Sequence, residues 1–395
     1  MPALDGIRAV AVAAVLLYHG GVSWLPGGFF GVDTFFVLSG FLITSLLLGE
    51  WHRTGTIRLR RFWGRRARRL LPALLAVVLF VVCYAAYAVP SDTYPGIRGD
   101  ALSAIFYVAN WHFVLSGSNY FAQTALASPL THTWSLAIEE QFYLLWPLVV
   151  LATLRLARRP LRALWWASVI GAGASGLEMA LLARTGASVT RLYYGTDTHA
   201  QSLLVGTALA VALFGLRHRQ ADATAGPRDL STRSRKAVAL AGFGGAAGLV
   251  LMWGTVGFGS ALLFQGGFLL ASISAAAVLL AAVSIPNGAL ARALSVAPLR
   301  FLGRISYGIY LWHYPLFIWL DGARTGLQGV ALLALRVAVT VCVATVSFFL
   351  LERPIRHGGL LAGWRGWAAA PIAVGLSATV VVLATSGASL GAPSP

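Results

Sequence analysis

Long apolar runs separated by short polar breaks fill most of this chain. Segments near 7–22, 29–48, 70–90, 134–154, 163–183, 197–215, 237–257, 262–285, 305–320, 328–351 and 367–387 are candidate crossings, since a bilayer core of ~30 Å takes about 20 residues of helix. Hydrocarbon leaves no partner for open backbone groups, so the pattern predicts an all-α polytopic membrane protein of about eleven transmembrane helices. The stretch Ile97 to Leu115 is also fairly apolar, but it carries Arg98, Asp100, Asn110 and His112 and reads as a re-entrant or interfacial segment. The region from Ser91 to Thr133 around it then forms an outward cap over the helices.

Charge orients this array. Eight Arg fall between Arg53 and Arg69, four between Arg155 and Arg162, and five with Lys236 between Arg217 and Lys236. Smaller sets follow at Arg292, Arg300 and Arg304 and at Arg353, Arg356 and Arg365. Each lies between apolar runs, as cytoplasmic loops do under the positive-inside rule. The N-terminus is then expected inside and the C-terminus outside. A crossing at Ile97–Leu115 would instead turn every later Arg cluster outward. Composition agrees, with 58% hydrophobic and 11% charged residues and a mean hydropathy of +0.75. The net charge of +17 comes without a soluble nucleic-acid-reading module, so the lipid bilayer and not nucleic acid is the expected partner. The first run has no basic n-region or cleavage site and reads as a span, not a signal peptide. Cys83 and Cys342 stand singly in apolar runs, so neither a disulfide framework nor a metal site is expected. Residues 217–236 read as a flexible cytoplasmic linker and 388–395 as a disordered extracytoplasmic tail.

Chemistry enters where polar groups interrupt the runs. Between Ile7 and Val22 only Arg8 and His19 can carry a charge near neutral pH; eleven positions apart, they fall nearly on one helix face, about 16 Å along it. Such groups cost several kcal/mol in hydrocarbon unless partnered or solvated, which marks a functional site. Asp33 lies just inside the second run, where it either holds His19 in one tautomer or pairs with an Arg across helices; Gly31 and Gly40 allow close helix approach there. The run Arg65-Arg66-Ala67-Arg68-Arg69 precedes Pro72. Guanidinium forks there suit a phosphorylated ligand, and topology anchoring beside anionic lipid accounts for them equally well. At the fourth span His132, Ser135, Glu139 and Tyr143 share one stripe. Its carboxylate either orients an imidazole or acceptor hydroxyl, or makes a structural ion pair with Arg191 or Arg336. In the ninth span Tyr307, Tyr310 and Tyr314 recur at a helical spacing that also fits an aromatic belt, and Ser306, Tyr310 and His313 offer a neighbouring polar stripe. His313 lies too deep for a belt, and Arg336 is deep enough to invite an acidic partner. Glu352-Arg353-Pro354 reads as a local charge pair with a proline stop.

Five blocks in order carry a family resemblance over nearly the whole chain: Arg8 with His19, Phe35-Phe36-Val37-Leu38-Ser39-Gly40, Arg65-Arg66 with Arg69, Ser135 with Glu139 and Tyr143, and Ser306 to Pro315. Together they resemble the membrane acyltransferase 3 family, which includes bacterial O-acetyltransferases of peptidoglycan and other cell-surface glycans. The resemblance implies a ten-helix acyltransferase domain over 1–356, with a linker and an additional transmembrane helix over 357–387, in the bacterial inner membrane. It implies transfer of an acyl group, usually acetyl, from cytoplasmic acyl-CoA to a hydroxyl on an extracytoplasmic glycan, a glycosylated small molecule or a partner protein. Carried over position by position, it nominates Arg8 and His19 as the essential pair, Glu139 and Tyr143 for the central site, and Arg65, Arg66 and Arg69 for the CoA phosphates. Asp33, Ser39, His132, Ser135, Tyr310, His313 and Arg336 would support the acceptor or the site. Larger members fuse a secreted esterase-like domain after the eleventh span. This sequence stops about there, as expected of a stand-alone form, of a truncated one, or of one that works with an extracellular partner domain. The rival class is a transporter or flippase using the same His, Glu and Arg as a relay. Against it stand the lack of a visible inverted repeat and the five blocks themselves.

Overall fold

The computed structural model describes residues 1–117, 128–222, 231–260, 262–357 and 364–386, and among these the chain is helical without a β-strand. In order come α1 (Pro2–His19), α2 (Gly31–Thr54), α3 (Leu59–Ala88), α4 (Tyr94–Ile105), α5 (Ala109–Ser116) and α6 (Thr133–Leu156). Then follow α7 (Pro160–Arg184), α8 (Val189–Tyr194), α9 (Thr196–Asp222), α10 (Thr232–Thr255), α11 (Phe268–Ser284), α12 (Ala289–Leu294) and α13 (Ala297–Arg304). The last are α14 (Ser306–Trp319), α15 (Gly322–Thr325), α16 (Gly329–Ser347), α17 (Arg353–His357) and α18 (Trp364–Thr385). Nine described helical stretches are long and apolar enough to cross a membrane. The protein is a multi-pass membrane protein.

Each of the eleven apolar runs is helical, but several bounds move. Pro2 occupies the first turn of α1, where its missing N–H costs nothing, and the helix starts there instead of at Ile7, burying Ala3 and Leu4. Arg8 therefore sits well inside the helix and His19 is its last residue. α3 begins at Leu59, so the arginine run is helix, not loop. The expected linker shrinks likewise: α9 continues to Asp222, and α10 starts behind Ser231, whose hydroxyl accepts the Ser234 N–H at 3.1 Å. Residues 223–230 of that linker and the expected tail 388–395 lie outside the described residues, as do residues 118–127 of the outward cap. Ile97–Leu115 forms no continuous span; it breaks into α4 and α5, 12 and 8 residues long. Asp100 on α4 and His112 Nε2 on α5 join the two at 2.9 Å.

The chain forms two compact units, Met1–Leu59 with Phe142–Ser306 and Arg60–Gln141 with Tyr307–Pro395. In the first, α2 and α9 touch backbone to backbone. A Cβ on Gly40 would lie 2.0 Å from the Leu203 carbonyl oxygen, and one on Gly206 2.0 Å from that of Val37. A Cβ on Gly31 would lie 2.4 Å from the Ala11 carbonyl oxygen of α1, so the expected close approaches at both glycines are present. Phe29, Phe30 and Phe268 fill the space between, with ring centroids 4.6 and 5.2 Å apart for Phe29–Phe30 and Phe30–Phe268. In the second unit Arg98 on α4 donates to the Thr385 hydroxyl at 2.9 Å and to the Thr385 carbonyl, fastening the end of α18.

Candidate functional site

The nominated residues divide between the two units. The first holds Arg8, His19, Asp33, Ser39 and Tyr143; the second holds Arg65, Arg66, Arg69, His132, Ser135, Glu139, Tyr310, His313 and Arg336.

In the first unit α1 carries half-buried Arg8 and His19 on one unbroken helix. The His19 ring stands 5.3 Å from that of Tyr18, which in turn meets Phe29 at 5.3 Å. Asp33, fully buried on α2, meets neither expectation made for it: it faces α9 and not His19 or an arginine. Ser202 Oγ donates to Asp33 Oδ1 at 2.7 Å, Ser272 Oγ on α11 donates to Ser202 Oγ at 2.8 Å, and His199 Nδ1 lies 3.5 Å from the same carboxylate oxygen. His199 is enclosed by Phe36, Tyr193 and Phe268, with centroids 6.0, 5.4 and 4.9 Å away. This imidazole was overlooked in the sequence. An ionisable side chain inside the run 197–215 was the available signal. Tyr143 Oη donates to Ser39 Oγ at 3.1 Å, and one turn on Trp146 Nε1 donates to Thr44 Oγ1 at 2.8 Å, so the far end of α6 is pinned to α2.

In the second unit the start of α6 and the middle of α14 build a buried set of imidazoles and hydroxyls. Ser135 Oγ and Tyr310 Oη share a hydrogen bond of 2.6 Å, and Tyr310 Oη donates to the His132 carbonyl at 2.9 Å. His132 Nε2 donates to the Leu311 carbonyl at 3.0 Å and His313 Nδ1 to the Tyr310 carbonyl at 2.5 Å. A carbonyl oxygen only accepts, which fixes the proton on those ring nitrogens. The His132 and His313 rings are 5.5 Å apart, and both residues are fully buried. These bonds replace the aromatic-belt account for Tyr310. For Tyr307 the Oη donates to the Leu70 carbonyl of α3 at 2.7 Å.

The arginine run splits by face. Arg65 is exposed, whereas Arg66 and Arg69 are half-buried and lie within electrostatic range of Glu140. Arg66 also covers the Phe62 ring at 5.6 Å. Beyond Glu140, Gln141 Nε2 donates to the Tyr107 carbonyl and to Asn110 Oδ1, both at 3.0 Å. Tyr107 has φ 55°, the one left-handed non-glycine among the described residues, a strained geometry that surroundings must impose. Burial, then the nearby Glu140 and Glu139 charges, pushes its phenol well above the usual value. Tyr107 too was missed, because φ leaves no mark on a hydropathy pattern.

Two expected partners are engaged elsewhere. Arg191 is held by Asp197, with Nη1–Oδ1 at 2.9 Å and a second bond to Oδ2, and has Glu178 at 3.8 Å. Arg336 donates from Nε to the Leu320 carbonyl at 2.9 Å and covers the Phe317 ring at 5.5 Å. It caps the end of α14 rather than answering a buried carboxylate.

Buried imidazoles, carboxylates and phenols on membrane-crossing helices define a class of membrane protein built around intramembrane polar chemistry. The particular family follows from comparison: the chain belongs to the membrane acyltransferase 3 family, whose acyltransferase domain matches residues 1–352. It is 40% identical to the peptidoglycan O-acetyltransferase OatA of Listeria monocytogenes over 93% of this chain and 57% of that protein. It is 38% identical to the O-acetyltransferase OatA of Staphylococcus aureus over 92% of this chain and 58% of the relative. With the putative peptidoglycan O-acetyltransferase YrhL of Bacillus subtilis the identity is 37%, over 91% and 55% respectively. The chain thus spans little more than half the length of these curated relatives. No solved structure matches it.

Proposed function

We propose that this protein is an O-acetyltransferase of the bacterial inner membrane that moves an acetyl group from cytoplasmic acetyl-CoA to a hydroxyl on an extracytoplasmic glycan, directly or through an extracellular partner domain. The observation that carries the reading is α1, a single unbroken helix that bears Arg8 and His19 about 16 Å apart, half a bilayer. Arg8 faces the donor and stabilises oxyanion charge on the thioester carbonyl. His19 serves the acceptor, either by taking the proton of its hydroxyl or by carrying the acetyl group briefly, since an imidazole does either near neutral pH. Arg66 and Arg69 suit the CoA phosphates, and exposed Arg65 the outermost of them. His132, Ser135, Tyr310 and His313 shape the site around Glu139. Support from outside the chain comes from the three relatives, all named as O-acetyltransferases.

The test is acetyl transfer from labelled acetyl-CoA in vesicles that hold the purified chain and a peptidoglycan precursor. Wild type transfers label, and His19→Ala loses at least about 100-fold of the rate, the scale of a lost general base. Label trapped on wild-type protein but not on His19→Ala selects the carrier role. Undiminished transfer by His19→Ala removes His19 from the mechanism, and gradient-driven solute uptake without any transfer favours the transporter.

A further inference from the structure

The end of α16 is wound in a way that hydrophobic sorting does not explain. The helix buries Thr340, Ala344 and Ser347 along one face. At about 100° per residue the next position on that face is Leu351. Instead, residues Phe348–Glu352 form a π turn, which takes up one extra residue and slips the register. Leu351 is left 37% exposed and Glu352 only 7%. An apolar side chain is turned out and a carboxylate turned in, and π turns of this sort concentrate at functional sites.

What the carboxylate meets inside is incomplete. Glu352 Oε1 stands 3.2 Å from where a Cβ on Gly308 of α14 would be, so the glycine there gives it room that a larger residue would narrow. Arg69 and Arg356 lie within its electrostatic range. Arg69 also acts on Glu140. Yet Oε1 takes no hydrogen bond from any described residue, and neither does Ser347 Oγ on the same face. A buried acceptor without a donor is costly, so the arrangement calls for an N–H or O–H from elsewhere.

We propose that Glu352 and Ser347 form the subsite for the amide-bearing arm of the acyl-CoA donor, beside phosphates held by Arg69 and Arg356. The inference rests on the acyl-CoA reading given above. Phosphates only accept hydrogen bonds and satisfy the two guanidinium groups. The pantetheine arm that follows them carries amide N–H and hydroxyl groups, which is what Glu352 Oε1 lacks. Ser347 lies about 7.5 Å further along the helix, a spacing the arm can follow towards the bilayer centre.

The experiment uses the full chain in nanodiscs with two probes: acetyl-CoA, and 3′,5′-ADP, which has the nucleotide phosphates without the arm. Glu352→Gln keeps the side-chain volume, and Ser347→Ala removes one hydroxyl, so both are expected to fold; size-exclusion elution checks this. Glu352→Gln should raise the acetyl-CoA KM about tenfold with kcat reduced less than twofold, and Ser347→Ala should raise it about threefold. Both should leave the Kd of 3′,5′-ADP within twofold, while Arg69→Ala weakens both probes. Unchanged acetyl-CoA KM in Glu352→Gln overturns the subsite, as does an equal weakening of 3′,5′-ADP, which would make Glu352 a holder of arginines only. If wild type binds neither probe, the donor reading itself falls.

Discussion

Asp33 and His199 show how far single residues could be read. Hydropathy alone flagged Asp33 as an ionisable group in hydrocarbon, and the structure gives the reason it is tolerated: Ser202 donates to it and His199 lies beside it, on a helix distant in sequence. Spacing along one helix names which side chains share a face, and it is silent on which other helix they meet. That is why Arg8, His19 and Glu139 were found as candidates while His199 and Tyr107 were not. Asp33→Leu should leave the Ser202 hydroxyl without its acceptor, at about 1–3 kcal/mol for the group stranded. Asp33→Asn keeps an acceptor oxygen and should cost clearly less. Thermal unfolding of the solubilised protein reads both, and a wild-type midpoint for Asp33→Leu would refute a structural role for the carboxylate. Tyr143→Phe and Ser39→Ala each break one bond of 3.1 Å, worth about 0.5–1.5 kcal/mol. Their double variant should cost less than the two singles added together, because the bond they share is lost only once.

At the scale of elements, the apolar runs coincide with helices, nine of the described stretches being long enough to cross a membrane, whereas the ends depended on signals other than hydropathy. Pro2 pulled α1 back, and the arginine run joined α3 because Arg is a good helix former that packs its stem and exposes its charge. The glycines of α2 were legible as contacts, and they make a direct test. Gly40→Ala places a methyl 2.0 Å from the Leu203 carbonyl oxygen and should force α2 from α9, lowering folded yield sharply. Gly49→Ala on the same helix meets nothing within 4 Å and should be neutral or slightly stabilising. The join of α4 to α5 is pH-dependent with a definite sign. Burial raises the Asp100 carboxyl above its ordinary 3.8, against the lowering effect of Ser128 and His112. The folded protein therefore holds a proton that the unfolded chain has already released, so this site favours folding most at low pH. That contribution is lost as pH climbs from 3.8 through the raised value. Asp100→Asn should flatten this slope in a pH series of unfolding midpoints; an unchanged slope would assign it to another group.

Across the whole molecule, topology turns on α14. At 14 residues this helix is only about 21 Å long, short of a bilayer core, and whether it crosses decides the side on which every later segment lies. Its contacts with α3 argue that it does cross. At its start Tyr307 Oη reaches the Leu70 carbonyl, and at its end Trp319 lies 6.4 Å from Tyr84. From Leu70 to Tyr84 α3 climbs about 21 Å, and from Tyr307 to Trp319 α14 climbs about 18 Å, so the two run side by side through the same slab. Beyond that level Arg324 on α15 covers the Tyr84 ring at 5.5 Å, far from the arginines that open α3. Under the positive-inside rule those arginines are expected at the cytoplasmic end of α3, so α15 is expected outside and the start of α14, just after Arg304, inside. In a Cys83→Ser, Cys342→Ser background, a membrane-impermeant maleimide applied to intact cells should label Arg324→Cys and spare Arg58→Cys and Arg304→Cys. All three should label once the membrane is opened. Labelling of Arg304→Cys with protection of Arg324→Cys would invert α14, and with it the eleven-span count that places the C-terminus outside.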